Sequence, residues 1–397
     1  MARITIGAIG DIKFNTRLKP SPLYDILRKA TVATANLECP LTHGVIPADK
    51  LFAIKAPPSV AKQLPGLGVQ VVSVANNHAM DYTGKGLMDT ISHVTRAGVQ
   101  TVGGGRNLEE ALAPAIIKAG PAKIAFFGVA CTLPAGFAAT DKKPGIAPIR
   151  ISSMFAVDPG EVEEQPGSCP FIHTHVVQGD LETMIRAIEK AKTFADLVVV
   201  SIHWGVTPGW QPVFQGALAE YQAPLARSLI DAGGDIILGH HPHVLNGIET
   251  YRKGIVFYSL GHFIFQSKEI GQSKEIGKEE KAKPRRLAEI RGQRVSGPVS
   301  PYTRGYKQAV VAGVRALLSS PQAKESMIAL IHIDVLKGKK PKIIGAEIIP
   351  SILDRDGEPG IGSPEHAHTL LARLKAYSEE FGTKLRIANQ KGYIDVA

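Results

Sequence analysis

Short apolar runs alternate with segments of helical periodicity along most of this chain. The runs Ile4–Ile9, Thr31–Asn36, Val69–Ala75, Lys123–Val129, Leu197–Ile202, Asp235–Leu238 and Gly254–Leu260 read as strands. Apolar positions at helical spacing place helices over Gly86–Ala97, Leu181–Ala195 and Gly216–Ala232. Pro57-Pro58 ahead of Ser59–Leu64 reads as a proline-led helix start, and Gly233-Gly234 closes a helix before the next strand. Toward the C-terminus, Ala309–Leu317, Ser326–Val335 and Lys342–Ile349 read as further strands and Pro364–Phe381 as an amphipathic helix. This alternation predicts an α/β fold.

Two segments break the pattern. Residues 133–178 are rich in Pro and Gly with little periodicity and read as a long surface excursion, a candidate lid, which carries His173 and His175. Residues 267–300 open with Ser-Lys-Glu-Ile-Gly at 267–271, repeated at 273–277, and continue into a Lys/Glu/Arg run. Such a charged stretch buries little apolar surface and reads as a mobile insertion.

Composition narrows the classes. With 397 residues and 44% hydrophobic content the chain has material for a sizeable core. No run of eighteen apolar residues offers a membrane span, and the first residues enter a strand pattern without a signal-peptide core, so a cytoplasmic protein is expected. Cys39, Cys131 and Cys169 lie far apart, in neither a zinc-ribbon nor a disulfide spacing. The formal net charge of +10 is a moderate excess compatible with an anionic substrate, nucleic acid or a lipid surface, with solvated basic loops as the plainer reading. Its concentration in 278–308 and after Lys337, without RNP-type aromatics or a basic helix, argues against nucleic acid.

The chemistry sits directly after the strands. Gly10-Asp11, Asn36-Leu37-Glu38, Asn76-Asn77-His78, His203-Trp204-Gly205 and Gly239-His240-His241-Pro242-His243 each follow an apolar run. Ligands of open α/β sheets bind at the carboxyl ends of strands, so these five ends are expected to converge. Imidazole is the commonest transition-metal ligand, and His-x-His on an extended backbone would turn His241 and His243 to one side and His240 away from them. Each piece alone has a plainer reading: Asp11 as a turn residue, Asn77 and His78 as hydrogen-bonding groups, His203 as a satisfied core histidine. Glu38 is harder to place that way, because a carboxylate is costly to bury without a cation.

In this order, Gly-Asp, Asn-Leu-Glu, Asn-Asn-His-x-x-Asp, His-Trp-Gly, Gly-His-His-Pro-His and Ser-Leu-Gly-x-Phe (residues 259–263) resemble the capsule and poly-gamma-glutamate synthesis (CapA-type) proteins of the calcineurin-like metallophosphoesterase superfamily. The likeness runs from about residue 4 to 266 and resumes at Leu353–Pro359 and Ser378–Thr383. It implies a single domain over 1–397 folded as a four-layer αββα sandwich with a metal centre at the sheet edges. It further implies Asp11, Glu38, Asn77, His203, His241 and His243 as metal ligands, with Glu38 bridging. His78, oriented by Asp81, would be the catalytic acid.

Mixed oxygen and imidazole donors suit Mn, Fe, Zn or Co, and two such ions about 3.5–4 Å apart would supply hydroxide from a bound water. The chain departs from the superfamily pattern at Lys13, where Asp-x-His is usual, at Val206-Thr207-Pro208, where relatives carry a glutamate, and at His262, where asparagine is usual. Lys13, His240, His262 and Trp204 are accordingly expected on the rim, facing an anionic small-molecule or polyanionic substrate. Three functions follow: metal-dependent hydrolysis of a phosphate ester, hydrolysis of an amide, ester or lactone such as a gamma-glutamyl bond, and a non-catalytic part in polyglutamate or capsule assembly. The sequence leaves the oligomeric state open.

Overall fold

The computed structural model describes residues 2–50, 52–167, 171–205, 218–267, 314–315, 317–336 and 338–396. Its main elements begin with β1 (Ala2–Lys13), α1 (Pro22–Lys29), β2 (Val32–Leu37), β3 (Val71–Ser73), α2 (Thr83–Arg96), β4 (Gln100–Val102), β5 (Ala115–Ala119) and β6 (Ala122–Ala130). A ribbon of β7 (Ile151–Ala156) and β8 (Phe171–Val176) follows, then α3 (Gln178–Ala191), β9 (Leu197–His203), α4 (Gln222–Asp231) and β10 (Ile236–His240). The remainder is β11 (Ile248–Tyr251), β12 (Gly254–Phe257), β13 (His262–Phe265), β14 (Glu325–Val335), β15 (Lys342–Leu353), α5 (Pro364–Glu379), β16 (Leu385–Ala388) and β17 (Lys391–Asp395).

These strands build two large sheets, and the protein is a mixed α/β structure. One runs β16-β17-β15-β14-β1-β2-β3-β4, with β13 added beside the C-terminal end of β1; the other runs β11-β12-β10-β9-β6-β5. Strands β1 to β4 are parallel, as are β6, β9, β10 and β12. Alternation along each strand sends side chains to two cores. In β9, Leu197 and Val199 enter a cluster with Phe126, Ile236, Ile6 and Val32 that joins the two sheets. Val198, Val200 and Ile202 point the other way, onto Met184 and Ile188 of α3 and Leu225 and Leu229 of α4. On the far side of the first sheet, Ile9, Ala33 and Val72 pack with Leu23 and Leu27 of α1 and Leu87 and Val94 of α2. A strand buried on both faces reads as an unbroken apolar run, which is the pattern at Leu197–Ile202.

Helix starts follow capping chemistry. Ser21 accepts from Leu23 N and precedes Pro22, and Ser363 accepts from His366 N and precedes Pro364. The Pro57-Pro58 start gives a 3-10 helix, Pro58–Gln63, instead of an α-helix.

Several expectations need correction. Helix α4 begins at Gln222, after non-helical residues 218–221 in which Ala219 N donates to the Gln222 side chain; the expected start at Gly216 lies outside the described residues. Residues 133–178 hold an antiparallel ribbon, in which Ile151 faces Val176 and Ala156 faces Phe171. Most of β7 is exposed, so no burial alternation betrays it; Arg150 fastens the ribbon's base to Asp180 through two contacts of 2.6 and 2.7 Å. Val314, Arg315 and Leu317, expected in a strand, are helical: Ser319 N bonds Arg315 O, and Val314 and Leu318 pack on Phe265 and Leu353. Residues 309–313 and 316, and nearly all of 267–300, lie outside the described residues, as do Val206-Thr207-Pro208 and Cys169. Cys39 and Cys131 are buried and unpaired.

Two glycines let strands approach the site closely. A Cβ on Gly10 would collide with the Gly261 carbonyl, and one on Gly239 with the Tyr258 carbonyl and, at 2.6 Å, the Trp204 indole nitrogen. Gly10→Ala and Gly239→Ala should therefore each cost about 1–3 kcal/mol by overpacking. Urea denaturation checks this; stability unchanged in both variants would show that the two strand ends have room to shift.

Candidate metal centre

Parallel strands bring their last residues to one edge of each sheet. Asp11 stands opposite Asn36 on β2 and opposite His262 on β13, and its N–H donates to Gly261 O at 2.9 Å. Beyond the end of β2 comes Glu38, and the turn after β3 supplies Asn76, Asn77 and His78. In the other sheet β9 and β10 end side by side, with His203 opposite His240. The chain then leaves strand geometry: His241 and His243 have φ of 96° and 60°. Such left-handed backbone costs of order 1–3 kcal/mol per non-glycine residue and is held only where its surroundings over-determine it.

The side chains converge. Asn36 Nδ2 donates to Asp11 Oδ1 at 2.8 Å and lies 3.3 Å from His203 Nδ1. His203 Nε2 is 3.0 Å from Asn77 Oδ1, 3.1 Å from His241 Nδ1 and 3.5 Å from Glu38 Oε1. His243 approaches both carboxylates, at 3.3 Å from Asp11 Oδ2 and 3.7 Å from Glu38 Oε1. Two groups emerge in which donor atoms all lie within 4.8 Å of one another: Asp11, Glu38, His243 and His262 in one, Glu38, His203 and His241 in the other. Glu38 belongs to both.

Electrostatics single out the same residue. Burial pushes the Glu38 carboxyl well above its ordinary range, and the Asp11 charge pushes it further. Burial acts on Asp11 in the same direction, but the adjoining His240 and His243 imidazoles outweigh it and hold that carboxyl well below the ordinary range. Burial lowers His203, and lowers His241 and His262 to about 3, with neighbouring imidazoles adding to the effect. Neutral imidazoles are the form that ligates a metal.

The donor set fits a divalent transition cation. Glu38 is 1% exposed, yet neither of its oxygens receives a hydrogen bond among the described residues, and Nε2 of His262 likewise has no hydrogen-bond partner among them. Buried carboxylate and imidazole atoms left without donors are costly unless a cation satisfies them. Oxygen and imidazole donors without thiolate match the Mn, Fe, Zn and Co class.

Beside this cluster, His78 Nδ1 lies 2.6 Å from Asp81 Oδ2. Sequence reasoning missed the residue that secures the pair: Lys50 Nζ donates to Asp81 Oδ1 at 2.7 Å and to Asn77 O at 2.6 Å. It also missed Asn36 and Asn76, the latter donating to Asn36 Oδ1 and Leu37 O at 3.2 and 2.9 Å. Asn36 and Asn76 stood in strand-end motifs and could have been read from position; Lys50 follows no strand and carried no signal.

All four residues expected on the rim are buried. Trp204 is fully buried, stacked on Tyr258 at 5.8 Å and donating its indole N–H to Tyr258 O, so it is a core residue. His240 is 2% exposed with Nδ1 3.3 Å from Asp11 Oδ1; alternation does not turn it away, because His241 and His243 are not extended. His262 is fully buried inside the first donor group. Lys13 is 9% exposed, with Nζ bonded to Gln266 O at 2.5 Å and lying over the Phe265 ring.

Strands of two sheets ending at a carboxylate and imidazole cluster place the chain among the metallophosphoesterase-like α/β proteins. It belongs to the bacterial capsule synthesis protein family PGA_cap, whose model matches residues 12–267. The chain is similar to the PGA biosynthesis protein CapA of Bacillus subtilis (strain 168), at 33% identity over 60% of this chain and 54% of that protein. It is also similar to the capsule biosynthesis protein CapA of Bacillus anthracis, at 29% identity over 66% of this chain and 60% of that protein. The matches thus span little more than half of these relatives' own length. The uncharacterized protein y4sH of Sinorhizobium fredii (strain NBRC 101917 / NGR234) matches more extensively, 24% identical over 98% of this chain and 92% of that protein. No helix among the described residues is long and apolar enough to cross a membrane.

Asp81 is fully buried and depends on Lys50 for its countercharge. Lys50→Met should destabilise the fold by about 3 kcal/mol, the cost of leaving a buried carboxylate unpaired, and the double variant with Asp81→Asn should recover part of it. Equal denaturation midpoints for Lys50→Met and the double variant would show that the ammonium does not hold that charge.

Proposed function

We propose that this chain is a divalent-metal-dependent hydrolase of a small or polymeric anionic substrate, acting in capsule or poly-gamma-glutamate metabolism. The observation that carries this reading is Glu38, a buried carboxylate shared by two groups of ligand-type side chains. Asp11, Glu38 and His243 would hold one ion, and Glu38, Asn77, His203 and His241 a second. Bound there, Mn, Fe, Zn or Co would supply hydroxide at neutral pH and charge stabilisation at the reacting centre. The helices packed outside each sheet fit the four-layer αββα sandwich of this superfamily.

The chain's own groups supply the rest. Asn36 orients Asp11 and His203 together, and Asn76 orients Asn36 in turn. Asp81 accepts from His78 Nδ1, and burial lowers the pKa of that imidazole, so Nε2 carries a lone pair in the neutral ring and would deliver a proton to the leaving group only from the imidazolium form. Lys50 keeps Asp81 in place. The net charge of +10 suits an anionic substrate.

Phosphate esters are the substrate class favoured by the superfamily's chemistry. A second class, the gamma-glutamyl amide, is favoured by the names of the Bacillus relatives, since a hydroxide attacks carbonyl and phosphoryl centres alike.

Elemental analysis after expression with added Mn or Zn, beside turnover of aryl phosphate mono- and diesters and gamma-glutamyl anilides, tests the proposal. Wild type should retain metal and hydrolyse one of these classes, His241→Ala should lose metal, and His78→Ala should keep metal while kcat falls roughly 10²–10⁴-fold. Wild type without metal above background, or fully loaded yet inert on every class, would leave the assembly role and overturn the hydrolase.

A further inference from the structure

We infer that His262 is a metal ligand of the Asp11 group, filling through β13 a coordination position that β1 leaves open at Lys13. This rests on the metal-centre reading above. Strand β13 is parallel to β1, with His262 directly opposite Asp11 and the register shifting immediately afterwards. The imidazole is fully buried, and its Nδ1 is fixed 3.0 Å from the Ala323 carbonyl, which makes Nδ1 the protonated nitrogen and Nε2 the lone-pair donor. Nε2 has no hydrogen-bond partner among the described residues. A ligating histidine usually donates its other ring N–H to a carbonyl or carboxylate, and His262 has that arrangement.

The ring is placed to share the ion. It stacks on His243 with centroids 4.3 Å apart and planes inclined by 23°, and one of its ring nitrogens lies with donor atoms of Asp11, Glu38 and His243 inside 4.8 Å. Lys13 stands on β1 two residues after Asp11, but its ammonium donates to Gln266 O. Lys13 is a cation with no lone pair and cannot ligate, whereas the neighbouring strand places an imidazole opposite Asp11.

Isothermal titration of the metal-free full chain with Mn(II) or Co(II), with the visible Co(II) spectrum recorded at each addition, tests this. Wild type is expected to bind two ions. His262→Asn should weaken one of them by roughly 10- to 100-fold or more, the loss that even an outer partner of a ligand produces, and change the Co(II) bands of that ion alone. His203→Ala should weaken the other ion, and Lys13→Met should leave the stoichiometry unchanged. Should His262→Ala fold poorly, the asparagine variant, which keeps a polar side chain, carries the test. Two ions of wild-type affinity and spectrum in His262→Asn would overturn the role of His262 while leaving the metal centre standing. No binding by wild type would overturn both.

Discussion

A carboxylate buried without a hydrogen-bond donor is the constraint around which this structure is organised. Glu38 lies at the end of a fully buried strand, 1% exposed, with imidazole nitrogens of His203 and His243 at 3.5 and 3.7 Å as its nearest charge partners. Deep burial makes an isolated anion expensive, so the carboxylate needs a cation. Burial and their mutual repulsion hold the adjoining His203 and His241 rings neutral, so neither supplies that charge. An external divalent cation resolves both problems together, since it neutralises the carboxylate and uses the lone pairs of the neutral rings.

The fold explains how so many such groups reach one place. Parallel strands within each sheet end at the same edge, and the core joining the sheets brings the β1, β2 and β3 ends near those of β9 and β10. Glycines at positions 10 and 239 admit neighbouring carbonyls where any side chain would obstruct them. Left-handed backbone at His241 and His243 then turns both rings inward from a loop. Local strain at these two residues is balanced by the strands and the donation from His241 N to Asp11 Oδ2 at 3.3 Å, and on the proposed reading bonds to an ion would add to them.

The strand-end logic was legible in the sequence because a polar residue after an apolar run is visible without three-dimensional knowledge. Asp11, Glu38, Asn77, His203, His241 and His243 do come together, and His78 meets Asp81. The finer geometry was not legible. Period-2 alternation placed His240 away from the cluster, whereas strand geometry ends at that residue and leaves it against Asp11. Trp204 and His262 looked like rim residues because composition does not report depth; Trp204 lies in the cluster with Tyr258, Leu225 and Leu229, and His262 lies opposite Asp11 between paired strands. Lys50 was invisible because its contacts with Asp81 and Asn77 cross 31 and 27 residues of sequence without any periodic pattern. The ribbon in 133–178 escaped for the opposite reason: its first strand is mostly exposed, so burial imposes no alternation on it.

Electron paramagnetic resonance of the Mn(II)-loaded full chain tests the shared carboxylate most directly. A carboxylate common to two ions about 3.5–4 Å apart predicts an exchange-coupled Mn(II) pair in the wild type, reduced to isolated ions or none in Glu38→Gln. An uncoupled signal from the wild type at saturating Mn(II), unchanged by Glu38→Gln, would contradict it.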